Sequence, residues 1–180
     1  MSRKNPYEVT SSREVYRNPW IRVREDRVKN PDGSDGLFGV VDGKPGATVL
    51  AVNARREAFL IREFKYGIAR ISVEAVSGGL EPGESALDAA RRELREETGL
   101  TAAEWHPLGT IDPFTAVVQC PNHLFLALGI EEGQDSPDSG EVIECFRVPF
   151  ARALQMVMDG EITHSASCLV ILKAHLSGLL

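Results

Sequence analysis

Cysteine is scarce and unpaired in this sequence. Cys120, Cys145 and Cys168 are scattered, with no CxxC pair and no metal-binding spacing. That excludes a disulfide scaffold and leads us to expect reduced core thiols in a cytoplasmic protein. Basic runs are absent as well. The net charge is −6 and the isoelectric point about 5.3, which speaks against wrapping a long nucleic acid by phosphate neutralisation. No apolar run approaches membrane-spanning length, and the opening "MSRKNPYEV" lacks an apolar signal segment, so no membrane partner is expected. His106, His123, His164 and His175 are dispersed, which argues against a shared imidazole metal site. Long linkers, low-complexity tracts and internal repeats are also missing. What remains is one soluble domain spanning residues 1–180.

The chain has material for a core: 43% of its residues are hydrophobic and 26% charged. Residues 7–45 read as a β-rich N-terminal arm. "WIRVREDRV" alternates apolar and charged residues, "NPDGSDG" is a turn, and "LFGVV" returns. "ATVLAVN" and "AFLIREFK" flank the polar "ARRE" and predict a second hairpin. "RISVEAVSGG" reads as a strand ending in glycines, and "NHLFLALGI" and "VIECFRVPF" as strands flanking the polar loop "EEGQDSPDSGE". A helix is expected from about Ser85, and two more in "ARALQMVMD" and "SASCLVILKAHLSGLL". Strands and helices mix without a regular βαβ repeat. The expected fold is therefore α/β of the α+β type: one mixed, curved sheet sandwiched between helices.

The segment from Gly78 to Leu100, "GGLEPGESALDAARRELREETGL", carries six acidic residues. Ser85 suits a helix N-cap, with Asp88 three residues on, and Gly99 suits the left-handed residue that ends a helix. Leu87, Ala90 and Leu94 form a narrow apolar stripe. Glu93 and Glu97 then stack at i and i+4, with Glu96 at i+3 from Glu93. Like charges at that spacing repel, and the C-terminal end of the helix is already electronegative. Together these cost on the order of 1 kcal/mol. A solvated charged face screened by Arg91, Arg92 and Arg95 is the bland explanation. A divalent cation would reverse the sign of the penalty, and carboxylate oxygens are the donors that Mg²⁺ and Mn²⁺ prefer.

Read as a pattern, these residues resemble the signature of the Nudix hydrolase family, G-x5-E-x7-R-E-U-x-E-E-x-G-U, where U is aliphatic. Gly78, Glu84, Arg92, Glu93, Leu94, Glu96, Glu97, Gly99 and Leu100 fill its fixed positions. The resemblance implies an α/β/α sandwich. It also implies cleavage of a nucleoside diphosphate linked to another moiety, with Mg²⁺ or Mn²⁺ as cofactor. It casts Glu93, Glu96 and Glu97 as the metal face, with Glu96 and Glu97 also serving catalysis. Glu84 and the carbonyl of Ser77 are further ligands, and Arg92 is the residue that holds the glutamates.

Outside the signature, "REFKYGIARISVEAVSGG", "DPFTAVVQCPNHLFLAL" and "GEITHSASCLVILKAHL" are similar to segments of ADP-ribose pyrophosphatases, although the proline of their E-L-P-A-G is replaced by Val76. ADP-ribose, split to AMP and ribose 5-phosphate, is the expected small substrate. GDP-sugars, NADH and dinucleoside polyphosphates are alternatives, as is a Nudix-fold ligand sensor without catalysis. That group takes a general base from a mobile loop, which points to Glu141 first and Glu144 second, with a solvated loop acid as the plain reading. Arg62 and Lys65 are expected to hold the diphosphate or terminal ribose, or simply to face solvent. Trp20 and Tyr16 are candidates to stack on adenine or to cover the sheet. A hairpin arm is marginal alone, and the resemblance implies a homodimer in which it helps build the other subunit's site.

Overall fold

The computed structural model describes residues 4–133 and 142–180. The chain forms two compact units: Met1–Lys44 with Asp112–Pro121, and Pro45–Ile111 with Asn122–Leu180.

The first unit is a four-stranded sheet. Strands β1 (Glu8–Arg17), β2 (Ile21–Lys29) and β3 (Asp35–Gly43) run as an antiparallel meander. A two-residue strand, β9 (Val118–Gln119), adds parallel to β3. The alternating pattern of "WIRVREDRV" yields β2 as expected. The turn that follows places Gly33 at φ 85°, the left-handed backbone that glycine adopts without steric cost. Among the described residues of this unit, Val28 is the one buried apolar side chain. Polar pairs do much of the cross-strand work instead. Arg24 donates to both Asp26 and Asp42, and Asp26 also accepts from the Ser12 hydroxyl at 2.5 Å. Tyr7, Val9, Val15, Tyr16, Leu37 and Phe38 are left exposed.

The second unit is built on a seven-stranded mixed sheet. Its path runs β11 (Glu144–Pro149), β5 (Glu57–Lys65), β4 (Gly46–Val52), β10 (Asn122–Glu132), β8 (Leu100–Ile111). Strand β6 (Arg70–Glu74) extends β5, and β7 (Val76–Gly79) pairs with β4. The pairing of β10 with β4 is parallel; the others are antiparallel. Strand β4 is buried along its whole length, and its period of two divides the core. Ala47, Val49 and Ala51, with Phe59, Ile61 and Phe125, pack against Ala89, Ala90 and Leu94 of helix α1 (Ala86–Thr98). Leu50 and Val52, with Leu60, Leu124 and Leu126, pack against α2 (Phe150–Met158) and α3 (Ser165–Leu176). The result is the expected α/β/α sandwich.

The expectation of one sheet needs correction, since the N-terminal strands form a sheet of their own. "RISVEAVSGG" divides into β6 and β7 at Ala75, whose N–H bonds the Ser167 hydroxyl at 2.9 Å. Strand β8 had no counterpart in the sequence reading. It lies at the edge of the sheet, carries Pro107, and meets β10 across a register shift at Leu124/Phe125, so its apolar residues do not alternate cleanly.

Candidate active site

Helix α1 begins and ends where its residue types dictate. The Ser85 hydroxyl oxygen accepts from the Asp88 N–H at 3.1 Å, and its O–H donates to the Asp88 carboxylate at 2.6 Å. Gly99 closes the helix at φ 69°, its N–H on the Arg95 carbonyl at 2.8 Å. Between these caps the acidic residues gather around one arginine. Arg92 has five N–H donors and uses all of them. Nε bonds Glu84 at 2.9 Å, Nη1 bonds Glu93 at 2.8 Å and Glu96 at 3.0 Å, and Nη2 bonds Glu84 and the Gly79 carbonyl, each at 3.0 Å. Three carboxylates and one backbone carbonyl are thereby held on a single planar fork. The Arg92 pKa is driven upward, chiefly by the bonds to Glu84. Glu84 is held below its ordinary value by Arg92 and by the Glu81 N–H.

Glu93 is the half-buried member. Burial pushes its pKa up, and Arg92 offsets that only in part. Its carboxylate lies directly over Gly78 of β7, where a Cβ would overlap the carboxyl group. Gly78 pairs with Ala47 of β4, so two small residues thin the sheet where Glu93 rests. The glycine of the signature thus makes room for the glutamate fifteen residues later. Glu97 is more deeply placed, at 8% exposure, whereas Glu96 is exposed. Ser77 lies on β7 beside Gly78, opposite Thr48. Among the described residues, no three carboxylate, imidazole or thiol groups converge as a closed ligand set. The donors on this face are carboxylate and carbonyl oxygens, the chemistry that suits a hard divalent cation. A half-buried carboxylate with a raised pKa is a place where positive charge is favoured.

Lys65 of β5 sits between Glu63, which it bonds, and Glu74, at 4.0 Å. Burial works to lower its pKa, but Glu63, Glu74 and Glu97 outweigh that and hold it above the ordinary value. Lys65 is therefore within electrostatic reach of Glu97, although its charge is already compensated. Arg62 is placed differently. It bonds Glu144, its cross-strand partner, at 2.9 Å and lies over the Phe146 ring at 3.8 Å, so it ties β5 to β11. Glu144 is exposed and engaged in that pair. Glu141 lies outside the described residues. Trp20 is 69% exposed and lines a 200 Å³ recess of the first unit with Arg17, Arg22 and Asp42; Tyr16 is also exposed. The contact of Gly78 with Glu93, and the group Arg70, Ser72, Glu74 and His164 beside Lys65, are not visible in the sequence. A glycine is silent about what its missing Cβ admits, and these four residues converge only once β6 meets the start of α3.

The sheet sandwiched by helices thus carries an arginine-braced set of carboxylates on and just before α1. Residues 43–165 match the model of the NUDIX domain, and residues 7–41 match the nucleoside diphosphate sugar hydrolase N-terminal domain. The chain belongs to the Nudix family and is a pyrophosphohydrolase. It is 29% identical over 168 residues to a Bacillus subtilis protein named ADP-ribose pyrophosphatase, covering 88% of each chain. It is 30% identical over 151 residues to a Klebsiella pneumoniae protein named GDP-mannose pyrophosphatase, covering 78% of this chain and 76% of that one. A crystal structure described as ADP compounds hydrolase shares the fold at a TM-score of 0.83 and 19% identity, over 98% of this chain and 96% of the other.

Proposed function

We propose that this chain hydrolyses the diphosphate of a nucleoside diphosphate sugar, with ADP-ribose split to AMP and ribose 5-phosphate, in the presence of Mg²⁺ or Mn²⁺. The observation that carries the reading is the glutamate face of α1, where Glu93 is seated on Gly78 and held by Arg92 while Glu97 is buried beside it. Glu93, Glu96 and Glu97 would hold the cation, with Glu84 and the Ser77 carbonyl as further oxygen donors. When bound, a divalent cation neutralises diphosphate oxygens and makes water more acidic. Arg92, with every donor engaged, orients carboxylates and has no N–H to spare for substrate. Lys65 stands at the Glu97 end of the face with its charge compensated by Glu63 and Glu74.

The substrate class is supported by the match of residues 7–41 and by the similarity to a protein named ADP-ribose pyrophosphatase along most of the chain. A GDP-sugar is the second reading, favoured by the Klebsiella relative. The first unit, with one buried apolar residue and many exposed ones among its described residues, is suited to docking on a second copy of the chain. In that homodimer Trp20 would stack on the base. Three free thiols, and no helix among the described residues long and apolar enough to cross a membrane, fit a reducing cytoplasmic compartment.

The test is hydrolysis of ADP-ribose, GDP-mannose, NADH and diadenosine polyphosphates in ¹⁸O water, with products identified by mass spectrometry. AMP and ribose 5-phosphate, with label in one of them, are expected. Turnover of GDP-mannose alone would move the substrate to the second reading, and no cleavage with either cation would overturn the hydrolase reading. Sedimentation at micromolar concentration is expected to give a dimer; a fully active monomer would remove the arm from the site.

A further inference from the structure

Strand β7 is the floor of the glutamate face. Gly78 seats Glu93, and the Gly79 carbonyl accepts from Arg92. The far end of the strand is fixed by the Leu80 N–H, which donates to the Pro45 carbonyl at 2.8 Å. The near end is held differently. The β6 ladder on β5 stops at Glu74, paired with Ile61, and the β7 ladder on β4 starts at Val76, paired with Val49. Ala75 lies between the two ladders and is fully buried, so its N–H needs an acceptor from elsewhere. The Ser167 hydroxyl oxygen supplies one at 2.9 Å, from ninety-two residues away. Ser167 is fully buried too, in the first turn of α3, and its oxygen lies 2.9 Å from Nδ1 of His164 at the helix N-terminus. That nitrogen is 3.2 Å from a carboxylate oxygen of Glu74. The start of α3 therefore grips two consecutive residues, Glu74 by its side chain and Ala75 by its backbone. It does so from behind the sheet: Ala75 packs with Leu50, Leu60 and Val170 on the α3 face, whereas Glu93 rests on the α1 face.

We propose that Ser167 is a positioning residue for the glutamate face. By fixing Ala75 it sets the height of β7, and through β7 it sets the seat of Glu93 on Gly78 and the direction of the Ser77 carbonyl. The effect on Glu93 stands on these contacts alone, and the effect on a bound cation rests on the reading given above for the site. Ser167→Ala leaves the Ala75 N–H unpaired in an apolar core, and β7 is then free to recede from α1. Groups that orient ligands from behind in this way change metal affinity by about 10–100-fold when they are removed.

Two measurements on the full chain test it. In chelator, Ser167→Ala, Gly78→Ala and the double variant are compared by urea denaturation. A receding β7 relieves the clash of the added methyl with Glu93. The unfolding constant of the double variant is therefore expected to rise at least threefold less than the product of the single effects. Val170→Ala, which opens the same α3 core but leaves the Ala75 bond in place, is expected to combine with Gly78→Ala to within about twofold of the product. The second measurement titrates Mn²⁺ into substrate-free protein and reads the free ion by electron paramagnetic resonance. Ser167→Ala is expected to bind about tenfold more weakly than the wild type, and Val170→Ala within about twofold of it. Independent effects of Ser167→Ala and Gly78→Ala, or wild-type Mn²⁺ affinity in Ser167→Ala, overturn the proposal. A wild type that binds no Mn²⁺ but shows the coupling sinks the cation reading and leaves Ser167 in its positioning role.

Discussion

Adding one methyl group at Gly78 is the sharpest perturbation this site offers, because it removes no functional atom. A Cβ at Gly78 would overlap the Glu93 carboxylate, so Gly78→Ala must displace that group. Overpacking of this kind costs about 1–3 kcal/mol, and losing the 2.8 Å charge-assisted bond from Arg92 to Glu93 adds about 1–2 kcal/mol. A loss of about 2–5 kcal/mol is therefore expected in chelator. A donor shifted by about 1 Å costs on the order of 100-fold in rate. Urea denaturation followed by tryptophan fluorescence reads the stability, since Trp105 packs edge-on to Phe125 at 6.4 Å in the α1-facing core. The decisive comparison is a double-mutant cycle. In a Glu93→Ala background the methyl has room, and Gly78→Ala is expected to cost less than about 1 kcal/mol. Gly39→Ala, at a site with nothing within 4 Å, is the control for adding Cβ to a strand glycine. Equal costs in both Glu93 backgrounds, or a wild-type rate in Gly78→Ala, would refute the reasoning.

Three further outcomes follow from the same geometry. Glu93 has a raised folded-state pKa, so the stability it contributes is present below the ordinary glutamate range and is lost as pH rises through the folded value. In chelator, Glu93→Gln is therefore expected to melt above the wild type at neutral pH, with the gap closing below about pH 4; a pH-independent gap in thermal melts would contradict this. Arg92→Lys keeps the charge but loses the fork that serves three carboxylates, and is expected to cost about 2–4 kcal/mol and at least tenfold in turnover. Wild-type melting and kinetics would show that charge alone suffices. Glu97→Gln is expected to lower kcat by orders of magnitude with Mg²⁺ while far-ultraviolet dichroism stays unchanged; near-wild-type activity would take Glu97 out of the site.

The parts of the fold that were legible are those where local chemistry and tertiary structure agree. Ser85, Leu94 and Gly99 mark the start, buried face and end of α1 because capping and periodicity act within one element. The turn through Gly33 and the hairpin of β4 and β5 were legible for the same reason. What escaped depends on residues far apart in sequence. The parallel pairing of β10 with β4 leaves no local mark, and neither does the two-residue strand β9. At the site, the bond of Arg92 to Glu96 lies on one helix and follows from its i,i+4 spacing, whereas the bond to the adjacent Glu93 does not. The bond of Arg92 to Gly79 and the seating of Glu93 on Gly78 need the path of β7. Arg62 and Lys65 looked alike as cations on one strand. They differ because Arg62 faces Glu144 across β11, whereas Lys65 lies beyond that pairing, near Glu74.

The small strand β9 gives this chain a timetable. The meander of β1, β2 and β3 is complete at Gly43, but the segment that pairs with the Val41–Asp42 end of the β3 edge begins at Val118, some seventy-five residues later. At a synthesis rate of about 5–20 residues per second, that edge waits roughly 4–15 s for its partner. Throughout the wait Val41 and Asp42 present unpaired N–H and C=O groups on that edge, the arrangement that invites pairing with another chain. The charges flanking the edge, Asp35 at its start and Asp42 near its end, stand as gatekeepers over that interval. The same insertion means that a truncation after the first unit's third strand produces a sheet that has lost its fourth member, and ribosomes stalled in that window hold the chain at its most association-prone.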